Sequence, residues 1–525
     1  MIKNIYIIIL KYFNSNSWII NFNQKKFIKA EYNFNHLNIF FQDNILIKNR
    51  ILNSNFFKKS TSINKDIYYN TFDWLISSKN IGGESSLNFA KKQIKLWIKE
   101  SYSKISIFWN SEYCSKRLIN LIYAYDFYSI TSNDIEKKNF KKLIYIHFII
   151  NRIYIKNLSP DNLSIENCKA DLLMLLILKS KINKTTEILK KQISYHVDPN
   201  GFHKSYSPIN QAKYINNLIE IKNILLFFKA EQVPLIDFQI INMTAVLNNL
   251  FHKDNSLALF NGSHNFFNKE VIGLSKQKKD LRTKQLYIIK NGLVVYNDKE
   301  KKLFFDAVKP SNKFINKNLH SGTLSFEFSA KKEKIITNCG SFCKVYAQKP
   351  SYLRFSAAHS TIILNNTNIS ELDTNKSYIR IPRKIKYEYI QDNDKLIMVC
   401  SHDGYRENYK KIVKRKLIIS KKENFLRGQD TITPIKLNSK KILYNIRFHL
   451  MPHCQTQLTN SKKKVIIKTK DLNTWVFESN NILSIEESVY IDKDDKIKEN
   501  KQIVISGFVS NSIIKENWSL KEVMK

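Results

Sequence analysis

The sequence predicts a multidomain α+β protein, in which a helical N-terminal part is followed by a C-terminal antiparallel β-sandwich. Two patterns along the chain predict this architecture. Between about residues 84 and 251 apolar residues recur at helical spacing, whereas beyond about residue 285 they recur with the period of two that is typical of half-buried strands. A polar, charged stretch at 265–285 separates the two patterns. At 525 residues the chain is also too long for one ordinary hydrophobic core.

Six segments of the N-terminal part have the spacing of helices. The clearest lies at 84–102, where Leu87, Ile94 and Trp97 would share one face. The segment 170–178 is nearly all apolar, so we expect its helix to be buried on most sides. The other segments are 114–128, 140–154, 210–228 and 236–251. Consecutive helices of this kind, alternating between an inner and an outer layer, could close into a toroid.

Short strand-like runs follow one another through the C-terminal part. The dipeptide Asn291-Gly292 stands between two runs rich in Ile, Val and Tyr, which is a strong signal for a β-hairpin. The other runs are 302–308, 323–329, 361–365, 396–400, 412–420, 443–451, 464–469, 474–477 and 502–509. Many short strands at this spacing favour an antiparallel sandwich.

One predicted hairpin carries polar residues at both of its ends. Leu324–Ser329 alternates apolar and polar residues, and a charged turn leads from it to a second strand, Ile335–Thr337. His320 precedes the first strand and Asn338 follows the second, so pairing of the strands would bring these two residues together. His359 could approach from a later segment. The pattern predicts a polar site at the mouth of the β-structure.

The charge of the chain favours polyanionic partners. Lys and Arg number 85 against 45 Asp and Glu, a formal net charge of +40. Such an excess attracts nucleic acid, an anionic membrane surface or an acidic polysaccharide. The basic residues are spread over the whole chain, without a block interleaved with aromatics and without a nucleic-acid motif, so we expect no specific nucleic-acid binding.

The cysteines and the N-terminus predict neither a disulfide framework nor a membrane span. The six cysteines are scattered, and the pair Cys339 and Cys343 has no second pair to complete a zinc knuckle, so we expect isolated thiols. The short apolar run at the N-terminus lacks a small-residue cleavage site and makes a poor signal peptide. No later segment is long and apolar enough to cross a membrane.

Motifs in both parts resemble those of one known family. Asn200–Pro208, NGFHKSYSP, is similar to the D-G-G-H-x-x-R-[NS]-P signature of the heparinase II/III-like family, and Ser256–Gly262 resembles the A-L-F-N-G step of its alphaproteobacterial branch. His320–Glu327 with Asn338–Gly340 is similar to that branch's H-A-G-x-L-S-F-E and N-C-G, and Ala357–Thr361 to its A-A-H-[NS]-T. The similarity also includes His402–Tyr405, Gly428–Asp430 and Arg447–Pro452 and, more weakly, Phe72–Leu75, Trp109 and Lys116–Ile119.

The resemblance covers the chain from about residue 70 to its end, and it implies a fold and a chemistry. The fold is an incomplete (α/α) toroid followed by a β-sandwich, which divides the chain into an N-terminal extension at 1–70, a toroid at 71–275 and a sandwich at 276–525. The chemistry is β-elimination across a glycosidic bond next to a uronic acid. The implied partner is an acidic polysaccharide, such as a glycosaminoglycan or alginate, and no cofactor is required.

The resemblance also implies which residues carry this chemistry. His203, Tyr206 and His320 are the candidate catalytic groups, because His and Tyr can exchange protons in an active site. Tyr206 stands where the family usually has Arg. Asn210 and Gln211 stand where well-studied lyases have Tyr and His, and neither can exchange a proton in the same way, so we assign them to substrate binding.

Three further residues are assigned to substrate binding. Arg117 lies on a predicted helix that could face the cleft, and Tyr405 belongs to one of the later motifs. Asn318 replaces the first His of the family's H-x-H motif, a residue that is often catalytic.

A metal site is implied by the resemblance in some members of the family. Its ligands would correspond here to His320, Asn338 and His359. Asn in place of the family's Asp removes the anionic ligand and should weaken a Zn²⁺ site considerably. A structural Zn²⁺ and a hydrogen-bonded cluster without metal both remain open.

Three functions follow from these observations. The first is a polysaccharide lyase that binds an acidic, uronate-containing glycan in a cationic cleft. The second is a non-catalytic, anionic-glycan-binding member of the same fold, suggested by the residues found at Asn210 and Asn318. The third is non-specific nucleic-acid binding through the positive charge. The resemblance implies the cell envelope or periplasm, the poor signal peptide leaves a cytoplasmic role open, and a homodimer is left open as well.

Overall fold

The described residues of the protein form two compact units. The computed structural model describes residues 67–101, 109–266, 271–273, 286–288, 292–310, 319–342, 352–372, 378–391, 394–436 and 440–523. The first unit contains the described residues of 67–198 and 213–241, and the second those of 199–212 and 242–523. Most of the predicted extension at 1–70 and of the predicted break at 265–285 lies outside the described residues. The predicted domain limits therefore stay predictions.

Ten α-helices of four or more described residues precede the strands in the described part of the chain. They are α1 Ile67–Asn70, α2 Asp73–Ile81, α3 Gly83–Ser101, α4 Ser111–Tyr123, α5 Tyr125–Ser129, α6 Asp134–Asn157, α7 Ile165–Ile177, α8 Asn183–His196, α9 Pro208–Phe227 and α10 Pro234–Asn248. Within the described residues no helix is both long enough and apolar enough to span a bilayer.

Local sequence explains where several helices begin. Asn110 and Asn133 cap α4 and α6, because their side chains accept hydrogen bonds of 2.9 Å from backbone N–H groups of the first turn. Ser164 and Asn167 form a capping box at the start of α7. The helix predicted at 114–128 is interrupted at Ala124, whose backbone is not helical, so that α4 and α5 are separate.

The helix α8 was not predicted from the sequence. Its first two turns read NKTTEILK, and few of its residues are apolar, so the helical periodicity is weak there. Leu189 and Ile193 are nevertheless fully buried, and the fully buried amide of Gln192 donates to the carbonyl of Leu163 at 2.7 Å. Tertiary contacts therefore stabilise this helix where the sequence pattern does not predict it.

An aromatic cluster lies in the core of the first unit, called the helical unit below. Phe72, Trp74, Trp97 and Trp109 are in ring contact, with neighbouring centroids 5.3–5.4 Å apart. The ring of His147 stacks on Trp109 at 4.9 Å. Large buried rings of this kind contribute much of the hydrophobic stabilisation of a helical domain.

The second unit contains two large antiparallel sheets. The strands are β1 Leu286–Ile288, β2 Leu293–Asn297, β3 Lys301–Asp306, β4 Phe326–Ala330, β5 Glu333–Thr337, β6 Ile362–Leu364, β7 Glu371–Leu372, β8 Tyr378–Arg380, β9 Ile385–Gln391, β10 Lys395–His402, β11 Lys411–Ser420, β12 Phe425–Pro434, β13 Ile442–Leu450, β14 Gln455–Leu458, β15 Lys464–Lys468, β16 Thr474–Ser479, β17 Leu483–Ile491, β18 Ile497–Val509 and β19 Ile514–Glu522. A short helix, α11 Arg406–Tyr409, joins β10 to β11.

The strand order defines the two sheets. One has nine strands in the order β1-β2-β3-β4-β5-β13-β18-β17, with β6 also paired to β13. The other has eight strands in the order β14-β15-β16-β19-β12-β11-β10-β9, and β7 and β8 form a separate pair. The predicted hairpin is present as β1 and β2, although Asn291 of its predicted turn lies outside the described residues.

The two large sheets share one hydrophobic core. It includes side chains of the nine-stranded sheet, such as Phe326 and Phe448, and of the eight-stranded sheet, such as Leu417, Phe477 and Trp518. The rings of Phe326 and Trp518 stack at 5.4 Å. The predicted sandwich is therefore present, and its alternating strands bury one face against the other sheet.

Candidate active site

A loop that enters α9 carries the first candidate residues, and Gln211 holds it in place. The amide oxygen of Gln211 accepts from the backbone N–H of His203 at 2.7 Å, and its amide nitrogen donates to the carbonyls of Gly201 and Met243 at 2.8 and 2.9 Å. Gln211 is fully buried. These contacts give it a scaffolding role, and nothing in them supports the predicted direct contact with substrate.

Gly201 is required by this arrangement. Its φ is +83°, a region that disfavours other residues, and a Cβ there would lie 2.8 Å from the backbone carbon of Asn242. The loop can therefore approach α10 closely only because residue 201 has no side chain.

His203 is oriented by a short hydrogen-bonded chain. The backbone N–H of Ser205 donates to Nδ1 of His203 at 3.3 Å, so that nitrogen is an acceptor and the Ser205 hydroxyl donates to it at 2.7 Å. The amide of Asn210 donates to the same hydroxyl at 3.2 Å. His203 therefore carries its proton on Nε2, and Asn210 is coupled to it through one hydroxyl group.

Tyr206 and Asn261 connect this loop to the sandwich. Tyr206 has a φ of +51° and its partly exposed ring lies against Phe202, with centroids 5.7 Å apart. The amide nitrogen of Asn261 donates to the carbonyl of Tyr206 at 2.9 Å, and its amide oxygen accepts from the backbone N–H of His320 at 3.3 Å. One side chain thus holds the backbones of two predicted catalytic residues.

His320 and His359 form a directly hydrogen-bonded pair. Nδ1 of His359 lies 2.8 Å from the carbonyl of Phe355, which can only accept, so this nitrogen carries the proton. Nε2 of His359 is then an acceptor, and Nδ1 of His320 donates to it at 3.1 Å. In the neutral pair Nε2 of His320 consequently bears a lone pair, and within the described residues it makes no hydrogen bond.

The surroundings of the pair keep both rings neutral. Burial lowers the pKa of His320 well below its usual value, with further lowering by His359 and by the positive charge of Arg354. Burial likewise lowers the pKa of His359 to about 4. The Arg354 guanidinium donates to the carbonyl of Leu319, the residue before His320, at 3.0 Å. At neutral pH His320 is therefore an unprotonated base beside a fixed cation.

Asn338 lies close to His359 in the fold, but its side chain is hydrogen-bonded to backbone groups. Its amide oxygen accepts from Ser360 N–H at 3.0 Å, and its amide nitrogen donates to the carbonyl of Leu259 at 3.4 Å. The facing nitrogens of His320 and His359 are bonded to each other, and among the described residues no group of three His, Cys, Asp or Glu is arranged to hold a metal. The predicted Zn²⁺ site at His320, Asn338 and His359 stays a prediction.

A buried carboxylate supports the strands behind the pair. Glu327 accepts from the backbone N–H groups of Asn338 and Leu259 at 2.8 and 3.0 Å, and it contacts His252 at 2.8 Å and Lys334 at 2.9 Å. Although burial opposes ionisation, the charge of Lys334 and the hydrogen bonds hold the pKa of Glu327 at about 2. The carboxylate is therefore a fixed anchor for the segment that contains Asn338.

Two predicted substrate-binding residues are fully buried core residues. Arg117, in the helical unit, donates to Nε2 of His147 at 2.9 Å and to the carbonyl of Asn70 at 2.6 Å, and its guanidinium lies 4.6 Å from the centre of the Trp97 ring. Tyr405 donates its hydroxyl to the carbonyl of Thr367 at 3.1 Å. These contacts do not support a role in binding substrate.

Asn318 lies outside the described residues, so its predicted role in substrate binding stays a prediction.

Sequence reasoning missed three residues that organise the site. Asn261 belongs to the motif Ser256–Gly262, but its side chain was not singled out; an Asn before Gly, here with φ of +51°, is a signal for a special backbone conformation. Ser205 and Arg354 had no such signal, since their importance comes from contacts with His203 and with the residue before His320.

Solved structures with the same architecture identify the fold. Heparinase III matches with a TM-score of 0.73 at 11% identity, over 98% of this chain and 91% of its own. A heparan sulfate lyase from Pedobacter heparinus matches with a TM-score of 0.58 at 13% identity, over 98% of this chain and 90% of its own. At these identities the similarity shows the fold alone: a helical region followed by antiparallel sheets, the toroid-plus-sandwich fold of heparinase III.

The sequence identifies the family of the sandwich. Residues 286–519 match the family described as heparinase II/III-like, C-terminal. These residues therefore form a heparinase II/III-like C-terminal domain, the family that the motifs predicted, and the predicted fold class is confirmed. No curated protein sequence matches it. The assignment to an alphaproteobacterial branch stays a prediction.

Proposed function

We propose that this protein is a polysaccharide lyase that cleaves an acidic, uronate-containing glycan by β-elimination, with His320 as the base. The observation that supports this most strongly is the tautomer of the histidine pair. The carbonyl of Phe355 accepts a hydrogen bond from Nδ1 of His359, and Nε2 of His359 accepts one from Nδ1 of His320. The lone pair of His320 therefore lies on Nε2. The lowered pKa keeps His320 unprotonated at neutral pH, so this lone pair is available to a proton of the substrate.

In the proposed reaction one proton moves to the enzyme and one moves to the leaving group. Nε2 of His320 removes the proton on the carbon next to the uronate carboxylate, and the electron pair forms a carbon–carbon double bond as the glycosidic carbon–oxygen bond breaks. The leaving oxygen takes a proton from Tyr206 or His203, which the loop before α9 presents through Asn261 and Ser205. The products are an unsaturated uronate and a new chain end.

Removal of this proton requires that the substrate carboxylate be neutralised. Two groups of the site suit this role: the guanidinium of Arg354, beside His320, and the partly exposed amide of Asn210, which is already ordered by Ser205. Fixed donors aimed at a developing negative charge lower the barrier without having to reorganise during the reaction.

The proposal is tested by a lyase screen with matched histidine variants. Purified protein is mixed with heparin, heparan sulfate, chondroitin, alginate and polyglucuronate, and the ultraviolet absorbance of the unsaturated product is followed. On the substrate that reacts, His320→Gln should lower kcat by about 10²–10⁴-fold, since the proton acceptor is lost. His453→Gln, a histidine of the same unit outside the candidate site, is the control and should retain activity.

The outcomes separate the lyase from its rival. Turnover by His320→Gln at the wild-type rate would refute the assigned base. A protein that binds these glycans without forming any unsaturated product would be a non-catalytic binding member of the fold, a reading that Asn210 favours because an amide cannot replace the proton exchange of Tyr.

A further inference from the structure

A cavity in the second unit, which contains the sandwich, is strongly basic. A cavity of about 510 Å³ lies among the β8–β9 connection, the start of α11 and the end of β12. Six of its lining residues are cationic and only two, Asp403 and Glu407, are acidic. The cationic residues are Arg380, Arg383, Lys384, Arg406, Lys410 and Lys436.

The composition of this cavity differs from that of the rest of the chain. Among 85 basic residues of the sequence only eleven are arginines, yet three of the eleven line this one cavity. A general excess of lysine does not explain such a concentration. Arginine presents several N–H groups in a plane and binds carboxylate, sulfate or phosphate groups with paired hydrogen bonds, which lysine cannot do.

Some of these cations build the wall and others are available to a ligand. Arg380 is committed to the backbone: it donates to the carbonyls of Ile369 and Asn368 at 3.0 and 2.8 Å and to that of Gly404. By contrast, the exposed side chains of Lys384 and Arg406 make no hydrogen bond or ion pair within the described part of the chain. Arg380 is thus held in place by backbone carbonyls, whereas the charges of Lys384 and Arg406 are not paired within the described part of the chain.

Apolar packing connects the wall of the cavity to the candidate active site. Ile381, which lines it, and Tyr206 pack against the same small apolar cluster, formed by Val308 and Leu319. Leu319 precedes His320 directly.

Hydrogen bonds form a second connection between the two. The hydroxyl of Ser321, the residue after His320, accepts from the backbone N–H of Ser370 at 2.7 Å, and Arg380 holds the carbonyl of Ile369 beside it. The position of the cavity wall is therefore coupled to the backbone of the proposed base.

We propose that this cavity is a subsite for anionic groups of the glycan, carboxylates or sulfates on sugar units beyond the one that reacts. The inference rests on the proposed function for the identity of the chain that occupies it. The lining favours a polysaccharide over single-stranded nucleic acid, because the residues that line it include no aromatic ring on which a base could stack.

The test compares two double charge reversals of equal size. Lys384→Glu/Arg406→Glu changes the cavity, and Lys463→Glu/Lys468→Glu changes β15 and the residue before it, near the opposite end of the same eight-stranded sheet. Binding of size-defined heparin and alginate oligosaccharides is measured by calorimetry at physiological salt, in the His320→Gln background so that nothing is cleaved. We expect the Kd to rise at least about tenfold for the cavity variant and less than about twofold for the control.

Each result decides the proposal separately from the lyase assignment. Equal weakening in both variants, no weakening in either, or no oligosaccharide binding by the parent protein would overturn the subsite. So would a DNA oligonucleotide that binds as well and responds to the cavity variant in the same way. A cavity-specific loss supports the subsite even if no unsaturated product ever forms.

With active protein, the cavity variant should raise KM and leave kcat unchanged. Heparin and alginate distinguish sulfate from carboxylate recognition.

Discussion

At the scale of single residues, the candidate site depends on which nitrogen of each histidine carries a proton. The carbonyl of Phe355 can only accept a hydrogen bond, so it determines the tautomer of His359. The tautomer of His359 in turn determines that of His320. Neither histidine has a carboxylate partner in these contacts. The arrangement therefore gives a neutral base whose proton affinity is set by burial and by the nearby charge of Arg354.

Gly322 offers a direct test of the geometry of this pair. A Cβ at residue 322 would lie 2.6 Å from Cδ2 of His359, so the Gly322→Ala variant must displace the imidazole and break the 3.1 Å hydrogen bond to His320. We expect kcat to fall by about 10²-fold, because small displacements of reacting groups are costly. The measurement is steady-state turnover on the glycan identified in the screen.

The control for this variant is a double-mutant cycle. In a His359→Ala background the added methyl group of Gly322→Ala meets no ring, so it should change kcat little beyond the effect of His359→Ala alone. Full additivity of the two substitutions would show that the methyl group acts elsewhere and would contradict the proposed geometry.

At the scale of elements, a buried ion pair lies within the eight-stranded sheet, and its arginine also contacts the segments before β4 and β6 next to the site. Arg415 of β11 makes paired hydrogen bonds of 2.7 and 2.9 Å to Asp430 of β12, and both side chains are fully buried. Its remaining nitrogen donates to the carbonyls of Leu324 and Ser360 at 2.9 and 2.7 Å. Ser360 follows His359 directly, so this arginine also supports the backbone of the histidine pair.

Breaking this pair should cost much more than breaking an exposed one. Asp430→Asn leaves the Arg415 charge buried without its partner, and we expect the free energy of unfolding to fall by about 3–5 kcal/mol. The half-exposed pair Lys464–Glu478 in the same sheet is the control, and Glu478→Gln should cost less than about 1 kcal/mol. Urea unfolding measures both, and equal losses would contradict the assigned role of Arg415.

At the scale of the whole molecule, buried neutral histidines make stability depend on pH. Burial lowers the pKa of His252 and His359 to about 4 and that of His402 and His449 to about 3. In the unfolded chain a histidine titrates near 6.5, so below that pH the unfolded state binds more protons than the folded state. Stability is therefore fully present above about pH 6.5 and is lost as the pH falls toward 4.

We expect the midpoint of thermal unfolding to fall steeply between about pH 6.5 and 5. Each such histidine contributes about 1.4 kcal/mol per pH unit in this window. The measurement is Tm by circular dichroism at fixed ionic strength, and His402→Gln should make the slope against pH shallower. A Tm that stays constant over this range would show that these histidines are protonated in the folded protein. Glu327, with its pKa of about 2, adds acid sensitivity only at lower pH.

The local patterns of the chain were sufficient to predict its architecture. The change from helical to alternating periodicity predicted a helical region followed by a sandwich, and the ordered motifs predicted the family. These features depend on residues close in sequence, which is why they can be read without a structure. The helix at Asn183–His196 was missed because its stabilisation comes from long-range contacts of residues such as Gln192.

The candidate site was predictable only in part. Its motifs located His203, His320 and His359, because these residues lie in short, recognisable segments. Tertiary structure alone decided that Arg117 and Tyr405 are buried, that Gln211 serves the loop backbone, and that Asn338 accepts from a backbone N–H group.

The sequence by itself therefore determined the order of the elements, the family of the C-terminal domain and the identity of the candidate histidines. Only the tertiary structure decided what each group can do, namely which nitrogen of His320 is a base and which basic residues converge on one cavity. The physical reason is that proton positions, pKa shifts and clusters of charge depend on neighbours that are distant in sequence, such as Phe355 for His320 or Arg406 for Arg380. Periodicity and motif order contain no information about such neighbours.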